Sequence, residues 1–162
     1  MQFTDKHSFD KPAATVIRMF ADKAYFERKY KELGYSGIEV LEHSADAKKF
    51  RIKVRYNAPN SAPLPDFAKK FLGETNVVTQ TDAWDLEKRT GRLEAEIRGV
   101  PVKVFADMKL ADEGAGSANT LKWNLNCGIP FVGGKLEEVV AGDIRAKSKT
   151  DQAKSREILK GY

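Results

Sequence analysis

The amino-acid sequence predicts an α+β fold in which an antiparallel β-sheet is covered by one long C-terminal α-helix. From Gly37 to Cys127 the apolar residues mostly recur with a period of two, as in strands that bury one face. The connections between these strands are short, which favours antiparallel neighbours because parallel neighbours need long crossovers. From Leu136 to Ile144 the apolar residues lie on one face of a helix, and this face is suited to cover the sheet.

The N-terminal region predicts a first strand followed by two short helices. Residues Gln2–Phe9 form the strand, with phenylalanines at the same parity. Asp10 is the expected N-cap of the first helix, and Pro12 lies in its first turn, where a missing N–H costs little. Helical apolar stripes occupy residues 16–20 and 24–33, and the glycine that follows ends the second helix.

The remaining strands bring the expected total to about six or seven. The clearest is residues 50–56, where apolar side chains alternate with Arg51, Lys53 and Arg55. A proline-rich linker and a short helical turn, residues 59–72, interrupt the series. The other strands are expected around residues 38–40, 78–86, 93–97, 102–110 and 121–127.

Composition limits the classes of protein that the sequence can specify. The chain has 162 residues, 41% hydrophobic and 31% charged, which predicts a single domain, residues 1–162, and excludes a disordered or membrane-spanning chain. One cysteine excludes an intramolecular disulfide and a cysteine zinc site, and we expect no metal and no cofactor. The N-terminus has no apolar core of a secretory signal, so a cytoplasmic location is expected.

The net charge of +5 is concentrated near the C-terminus. Residues 143–162 contain six basic and three acidic side chains, and so supply +3 of that charge. Apolar spacing fades after Ile144, so we expect a polar, basic tail from about residue 147, where the helix leaves the sheet or frays.

The stretch from Gly128 to Lys135 begins like a phosphate-binding loop but departs from that motif. Gly134 stands at the lysine position, and Pro130 removes one of the N–H groups that would contact phosphate. The pair Gly133-Gly134 is better explained as the bend that returns the chain onto the apolar face of the sheet.

Four segments carry a resemblance to a known family: HSFDKPAATVIRMFAD, LPDFAKKFLG, AWDLE and IPFVGGKLE. With the order of the predicted elements, the sequence resembles the START and birch-pollen-allergen-like superfamily, which has the helix-grip fold. More narrowly it resembles an uncharacterised bacterial branch, domain of unknown function 2505. The resemblance implies a curved sheet that grips the last helix around a hydrophobic cavity. Members of the superfamily bind lipids, sterols, polyketides and plant hormones, and some are cyclases or hydroxylase subunits.

This resemblance and the apolar parity of the strands predict a ligand pocket, although the same side chains could simply fill the core. The helix contributes Leu136, Val140 and Ile144 as a roof. The sheet is expected to contribute Phe50, Ile52, Val54, Tyr56, Asp82, Trp84, Ile97, Val104, Met108, Trp123 and Leu125.

Asp82 is the unusual member of this predicted lining, because it places a carboxyl group at a strand position whose neighbours of the same parity, such as Trp84, are apolar. If it faces inward, burial raises its pKa, and it could orient a polar ligand or act as a general acid or base. The sequence favours the alternative, a β-bulge that turns Thr79 and Thr81 inward instead, because an unpaired buried carboxylate is costly.

Other candidate polar groups lack recognisable partners in the sequence. His7 and Tyr56 could donate hydrogen bonds in the cavity, but the chain has only two histidines, far apart in sequence, so a structural histidine is favoured over a catalytic one. Cys127 lies on the apolar parity, where a thiol is expected to be buried and inert. We therefore assign no catalytic residue from sequence.

These observations predict a non-catalytic carrier or sensor whose partner is a hydrophobic small molecule or lipid. The main alternative is a cyclase or dehydratase that acts on a polyketide-like ligand and uses Asp82, His7 or Tyr56 as acid–base groups. A weaker alternative is that the basic tail binds nucleic acid or an anionic membrane. The alternating charges of the strands are better explained as a solvated face, so no nucleic-acid partner is expected. The oligomeric state is not predicted.

Overall fold

A computed structural model describes residues 1–162. It contains seven strands, three α-helices and one 3₁₀ turn, in the predicted order. Their bounds are β1 Gln2–Phe9, α1 Ala13–Phe20, α2 Lys23–Glu32, β2 Ser36–Ala45, β3 Lys49–Pro59, the 3₁₀ turn Asp66–Lys70, β4 Thr75–Asp85, β5 Thr90–Ile97, β6 Lys103–Glu113, β7 Gly116–Asn126 and α3 Gly133–Leu159.

The strands form one curved antiparallel sheet in the order β1-β7-β6-β5-β4-β3-β2. Strands β2 to β7 follow one another as a meander, and β1 pairs with β7 at the other edge, from Gln2 opposite Asn124 to Phe9 opposite Ser117. Helix α3 lies in the concave face, so the predicted helix-grip fold is confirmed.

Strand β3 shows why the alternating pattern specified the sheet. Its inward apolar side chains are nearly inaccessible to solvent. Between them, Arg51 and Arg55 point outward and pair with Glu42 and Glu39 of β2. Such exposed pairs contribute little stability each, but they keep one face of the sheet hydrated while the other is buried. The buried side chains of this strand are Phe50, Ile52, Val54, Tyr56 and Ala58.

The two short helices are capped differently from the prediction. Pro12 occupies the N-cap position of α1 without a side-chain cap, so the expectation for Asp10 is wrong. A carboxylate that is distant in sequence replaces it, because Asp112 Oδ1 accepts a 2.8 Å hydrogen bond from the Ala13 N–H. Helix α2 has a local cap, in which Asp22 accepts from the Ala24 N–H.

The C-terminal segment is not a frayed tail. Helix α3 continues for 27 residues to Leu159, and both Ile158 and Leu159 are buried. Its inward face continues after Ile144 at helical spacing, but with polar residues, namely Ser148, Asp151 and Ser155. The apolar periodicity that predicted this helix therefore ends near Ile144, although the helix itself continues with a polar buried face.

Strand β4 pairs without a register shift on both sides, from Lys49 opposite Asp85 on one edge to Val78 opposite Ile97 on the other. The bulge that would turn the threonines of β4 inward is therefore absent, and that expectation is wrong. The irregularities of register lie in β2 instead. Asp82 consequently faces the interior and is 7% exposed.

Of the two glycines that begin α3, only the first is required by close packing. A Cβ at Gly133 would lie 2.6 Å from the carbonyl oxygen of Cys127, whereas a Cβ at Gly134 meets nothing within 4 Å. The left-handed residue of this turn is Phe131, with φ of 68°, and its side chain is fully exposed. Cys127 is half-buried rather than buried as expected.

Candidate functional site

An interior cavity of about 150 Å³ lies between the concave face of the sheet and helices α2 and α3. A protein cavity of roughly this size, lined by apolar side chains, can hold one benzene molecule. Its walls are mainly apolar and aromatic, and Ala58 and Ala95 are the small side chains among them. Both tryptophans of the chain, Trp84 and Trp123, line it.

The structure brings part of the predicted set together around this cavity and leaves the rest in packed regions. The lining includes Tyr56, Asp82, Trp84, Ile97, Val104, Met108, Trp123 and Ile144. The residues of the predicted set outside the lining are Phe50, Ile52, Val54, Leu125, Leu136 and Val140, each at most 2% exposed.

Helix α2 explains why Phe50 of β3 lies outside the cavity, although Tyr56 of the same strand lines it. Phe26 stacks on Phe50 with ring centroids 5.8 Å apart, so that end of the sheet is filled by an aromatic side chain from α2. The same helix supplies lining residues that the sequence did not identify, among them Tyr25, Lys29 and Tyr30. A signal was present in the sequence, since Lys29 follows Tyr25 by four residues and so shares its apolar helical face.

Lys29 is a buried cation, only 5% exposed, at the wall of the cavity. Its Nζ lies 2.9 Å from Asp151 Oδ2 of α3 and 4.8 Å from the centre of the Tyr25 ring. Burial alone would lower the pKa of Lys29, but the charge of Asp151 and the neighbouring Tyr25 and Asp82 outweigh burial and raise it. The ammonium is therefore a fixed positive charge rather than a nucleophilic amine.

Asp82 is the end of a directed chain of hydrogen bonds. The Tyr56 hydroxyl donates to Gln80 Oε1 over 3.0 Å, and Gln80 Nε2 donates to Asp82 Oδ1 over 2.8 Å. Burial raises the pKa of Asp82 to about 6, although Lys29 and the Gln80 hydrogen bond act in the opposite direction. Burial also raises the pKa of Tyr56, so its hydroxyl remains a neutral donor at physiological pH.

His7 has two partners that its position in the sequence did not reveal. Its Nε2 lies 3.2 Å from Asp5 Oδ2 and 2.6 Å from Ser148 Oγ, and Ser148 also donates to Asp5. Burial would raise the pKa of Asp5, but the Ser148 hydrogen bond and the nearby imidazole lower it. Because the carboxylate and the hydroxyl meet the same ring nitrogen, the trio lacks the two-sided geometry of a serine–histidine–aspartate triad.

Three buried polar side-chain atoms have no hydrogen-bond partner in the protein. They are the Tyr30 hydroxyl, Asn119 Oδ1 and the Trp123 indole nitrogen Nε1, and all three residues line the cavity. An unsatisfied buried polar group costs about 1–3 kcal/mol, and native proteins contain few of them. Asn119 shares the inward parity of Leu121 and Trp123, but it was missed because the strand was predicted to begin only at residue 121.

The side chains form no metal-binding cluster, and the helices include no membrane-spanning segment. No group of three or more histidine, cysteine or acidic side chains is placed to hold a metal ion. None of the helices combines the length and the apolar character that a membrane crossing requires.

Several solved structures of other proteins have the same fold as this chain. The chain superposes on Ara h 8.0201 with a TM-score of 0.68 at 16% identity, covering 100% of this chain and 99% of that one. The Zhui aromatase/cyclase from Streptomyces sp. R1128 gives 0.64 at 12% identity, with coverage of 99% and 93%. A START superfamily protein from Mycobacterium smegmatis gives 0.56 at 10% identity, with coverage of 97% and 98%.

At these identities the likeness establishes the fold alone, and it agrees with the predicted START and birch-pollen-allergen-like superfamily. No curated protein matches the sequence. The model of a protein family of unknown function, DUF2505, matches residues 4–159, so this chain belongs to that family.

Proposed function

We infer that the protein binds a small, mostly apolar molecule in the cavity between the sheet and α3. The observation that carries this proposal is the cavity itself, whose mainly apolar and aromatic wall includes a few polar side chains, among them Gln80 and Asp82. A ligand with an apolar body and one polar end would pack against the aromatic rings and meet these polar side chains. An apolar cavity with a few placed polar groups is also the usual form of a small-molecule site.

The volume favours a ligand of about one ring over a lipid. Ligand pockets usually measure about 300–1,000 Å³, whereas this cavity measures about 150 Å³. A ligand much larger than one ring would not fit within this volume. The fold is shared with an aromatase/cyclase and a START superfamily protein, which supports an interior site for an organic molecule.

Native mass spectrometry of protein purified from cells tests this proposal. We expect a fraction of the molecules to carry a bound mass of up to a few hundred daltons, released on unfolding. A matched sample of Ala95→Phe, which places a ring in the cavity, should lose that mass. No bound mass, together with no binding of benzyl alcohol to the purified protein, would contradict the proposal.

A catalytic role is the second candidate, and the position of Asp82 supports it. A buried carboxyl with a pKa raised to about 6 is suited to exchange a proton near neutral pH. A cyclase or dehydratase would use such a group on a polyketide-like substrate. Turnover of such a substrate by the wild type, lost in Asp82→Asn, would support this role, and equal turnover by both would remove Asp82 from it.

The third function that the sequence raised receives no support from the contacts of α3. Lys147 pairs with Asp143, and Lys154 pairs with Glu157. Arg156 donates to the carbonyl oxygen of Ser8. These three basic residues, which were expected in a free tail, are instead part of an ordered helix and have acidic or carbonyl partners.

A further inference from the structure

We propose that the ligand carries a protonated amine and that Asp82 accepts it. This inference rests on the proposed function and names the chemical class of the ligand. It follows from the charge balance of the cavity, from the direction of the hydrogen bonds that end at Asp82, and from the aromatic rings beside it.

The positive and negative charges of the side chains that line the cavity do not sum to zero. Asp151 is neutralised by Lys29 at 2.9 Å, and Asp143 is paired with Lys147 on the same helix. Asp82 forms no salt bridge, and its only side-chain hydrogen bond comes from the neutral amide of Gln80. Among the lysine and aspartate side chains of the lining, one negative charge is therefore unbalanced. The charged residues that line the cavity are Lys29, Lys147, Asp82, Asp143 and Asp151.

The hydrogen bonds around Asp82 favour a ligand that donates a hydrogen bond to this carboxylate. The Tyr56 hydroxyl donates to Gln80, and the Gln80 amide donates to Asp82 Oδ1, so the chain of donors ends at the carboxylate. A carboxylate has acceptor sites on both oxygens, and a single bond from Gln80 leaves most of them free. A ligand ketone or carboxylate at that position could not form a hydrogen bond with the Asp82 carboxylate, because both groups are acceptors. An ammonium supplies both the missing donor and the missing charge.

The aromatic surroundings also suit a cation. Tyr56 stacks on Tyr30 and Tyr35, with ring centroids 4.5 Å and 5.0 Å away. The faces of such rings attract positive charge. Lys29 already uses this property, since its Nζ lies 5.2 Å from the centre of the Tyr30 ring. The apolar body of the ligand would then lie against Trp84 and the aliphatic lining of the sheet.

The cavity volume sets the probe for the test. Since a cavity of about 150 Å³ holds a benzene-sized group, benzylamine is a suitable compound, with benzyl alcohol as the neutral analogue and benzoate as the anionic one. Binding is measured by titration followed through the fluorescence of Trp84 and Trp123. At pH 8 we expect the wild type to bind benzylamine about tenfold or more tightly than benzyl alcohol, and benzoate most weakly.

Two variants assign the preference to Asp82. Asp82→Asn should bind both benzylamine and benzyl alcohol but lose the preference between them. Asp107→Asn, which makes the same chemical change on the outer face of β6, should retain it. Circular dichroism spectra establish that each variant is folded. A preference that persists in Asp82→Asn, or a wild type that favours benzyl alcohol or benzoate, overturns the inference.

The pH dependence of the wild type tests the inference without any substitution. Asp82 faces Lys29 of α2 and Asp151 of α3, and the wall around it includes Tyr30, Tyr56, the Asp143–Lys147 pair and His7. As pH falls through about 6, Asp82 becomes protonated while an alkylammonium stays charged, so the preference for benzylamine should disappear.

A histidine titrates in the same range, so His7→Gln serves as the control and should leave this loss unchanged. A preference for benzylamine that is constant from pH 8 to pH 5 contradicts the inference. If benzyl alcohol binds without any advantage for the amine, this inference fails while the proposed function stands. If neither compound binds and no bound mass is found, the proposed function itself fails.

Discussion

Lys29 of α2 and Asp151 of α3 form a salt bridge of 2.9 Å inside the molecule, with side chains 6% and 30% exposed. This pair joins the second half of the C-terminal helix to the short helix that closes one end of the sheet. Tyr25 and Ser155 add a second link beside it, a hydrogen bond of 2.7 Å between their hydroxyl groups. The polar inner face of α3 is thus held by specific partners rather than by apolar packing.

The two sides of this salt bridge should respond unequally to substitution. Asp151→Asn leaves a cation in a site that solvent hardly reaches, so the free energy of unfolding should fall by about 3 kcal/mol. Lys29→Met leaves behind a partly exposed carboxylate and keeps an apolar chain in place, so its cost should be at least about 1 kcal/mol smaller. Urea unfolding at pH 7 measures both. An equal or reversed order would contradict the assignment of Lys29 as the buried partner.

Asp82 should make the protein less stable as pH rises from about 4 to 6. Its pKa is about 6 in the folded protein and 3.8 without burial, so the folded state holds the proton more tightly in this range. Stability is therefore present at low pH and lost as the carboxyl ionises, on the order of 3 kcal/mol in total.

The difference between the wild type and Asp82→Asn isolates this effect. The variant should gain stability relative to the wild type as pH rises from 4 to 7, as measured by denaturant unfolding at each pH. A difference between the two that does not change with pH would mean that Asp82 is not buried as described.

Gly133 and Gly134 form a matched pair at the start of α3. Gly133→Ala should destabilise the protein by about 1–3 kcal/mol, because its Cβ would meet the backbone oxygen of Cys127. Gly134→Ala has free space and should stabilise by about 0.5–1 kcal/mol. Thermal unfolding of the two variants gives the signs, and the same sign in both would be inconsistent with this turn.

The end of α3 should contribute to stability as a core element. Ile158 is 2% exposed, so Ile158→Ala should cost about 2–4 kcal/mol. Lys160→Ala, an exposed change two residues further on, should stay within about 0.5 kcal/mol of the wild type. If Ile158→Ala were equally neutral, the last turns of the helix would be frayed after all.

The sheet could be predicted from sequence because its information is local. From Phe50 to Asn57 of β3 each apolar residue is followed by a polar or charged one, so parity alone assigns the two faces of the strand. The first turns of α3 were equally clear, since Leu136, Val140 and Ile144 share one face. The superfamily was indicated by four short segments, among them AWDLE and IPFVGGKLE, together with the order of the predicted elements.

The polar interior could not be predicted because its partners are distant in sequence. Parity placed Asp82 inward, but the cost of burying a carboxylate favoured a bulge. Gln80 offsets part of that cost from the same strand, and Lys29 lies near the carboxylate only because α2 folds over the sheet. Ser148 and Asp151 looked like a solvated tail because their partners, His7 and Lys29, lie more than 100 residues away.

Filling the cavity by mutation tests the proposed binding site most directly. Ala95→Phe adds a ring at the cavity wall, and Ala111→Phe adds the same ring at an exposed position of the neighbouring strand β6. Because the ring can occupy existing space, Ala95→Phe should stay folded, with a loss of stability below about 1.5 kcal/mol.

The decisive measurement is the affinity for benzyl alcohol, followed through the fluorescence of Trp84 and Trp123 in each variant. We predict that the wild type and Ala111→Phe bind with the same affinity and that Ala95→Phe loses binding by at least about tenfold. Equal binding by all three proteins, with Ala95→Phe still folded, would show that small apolar molecules do not bind in this cavity.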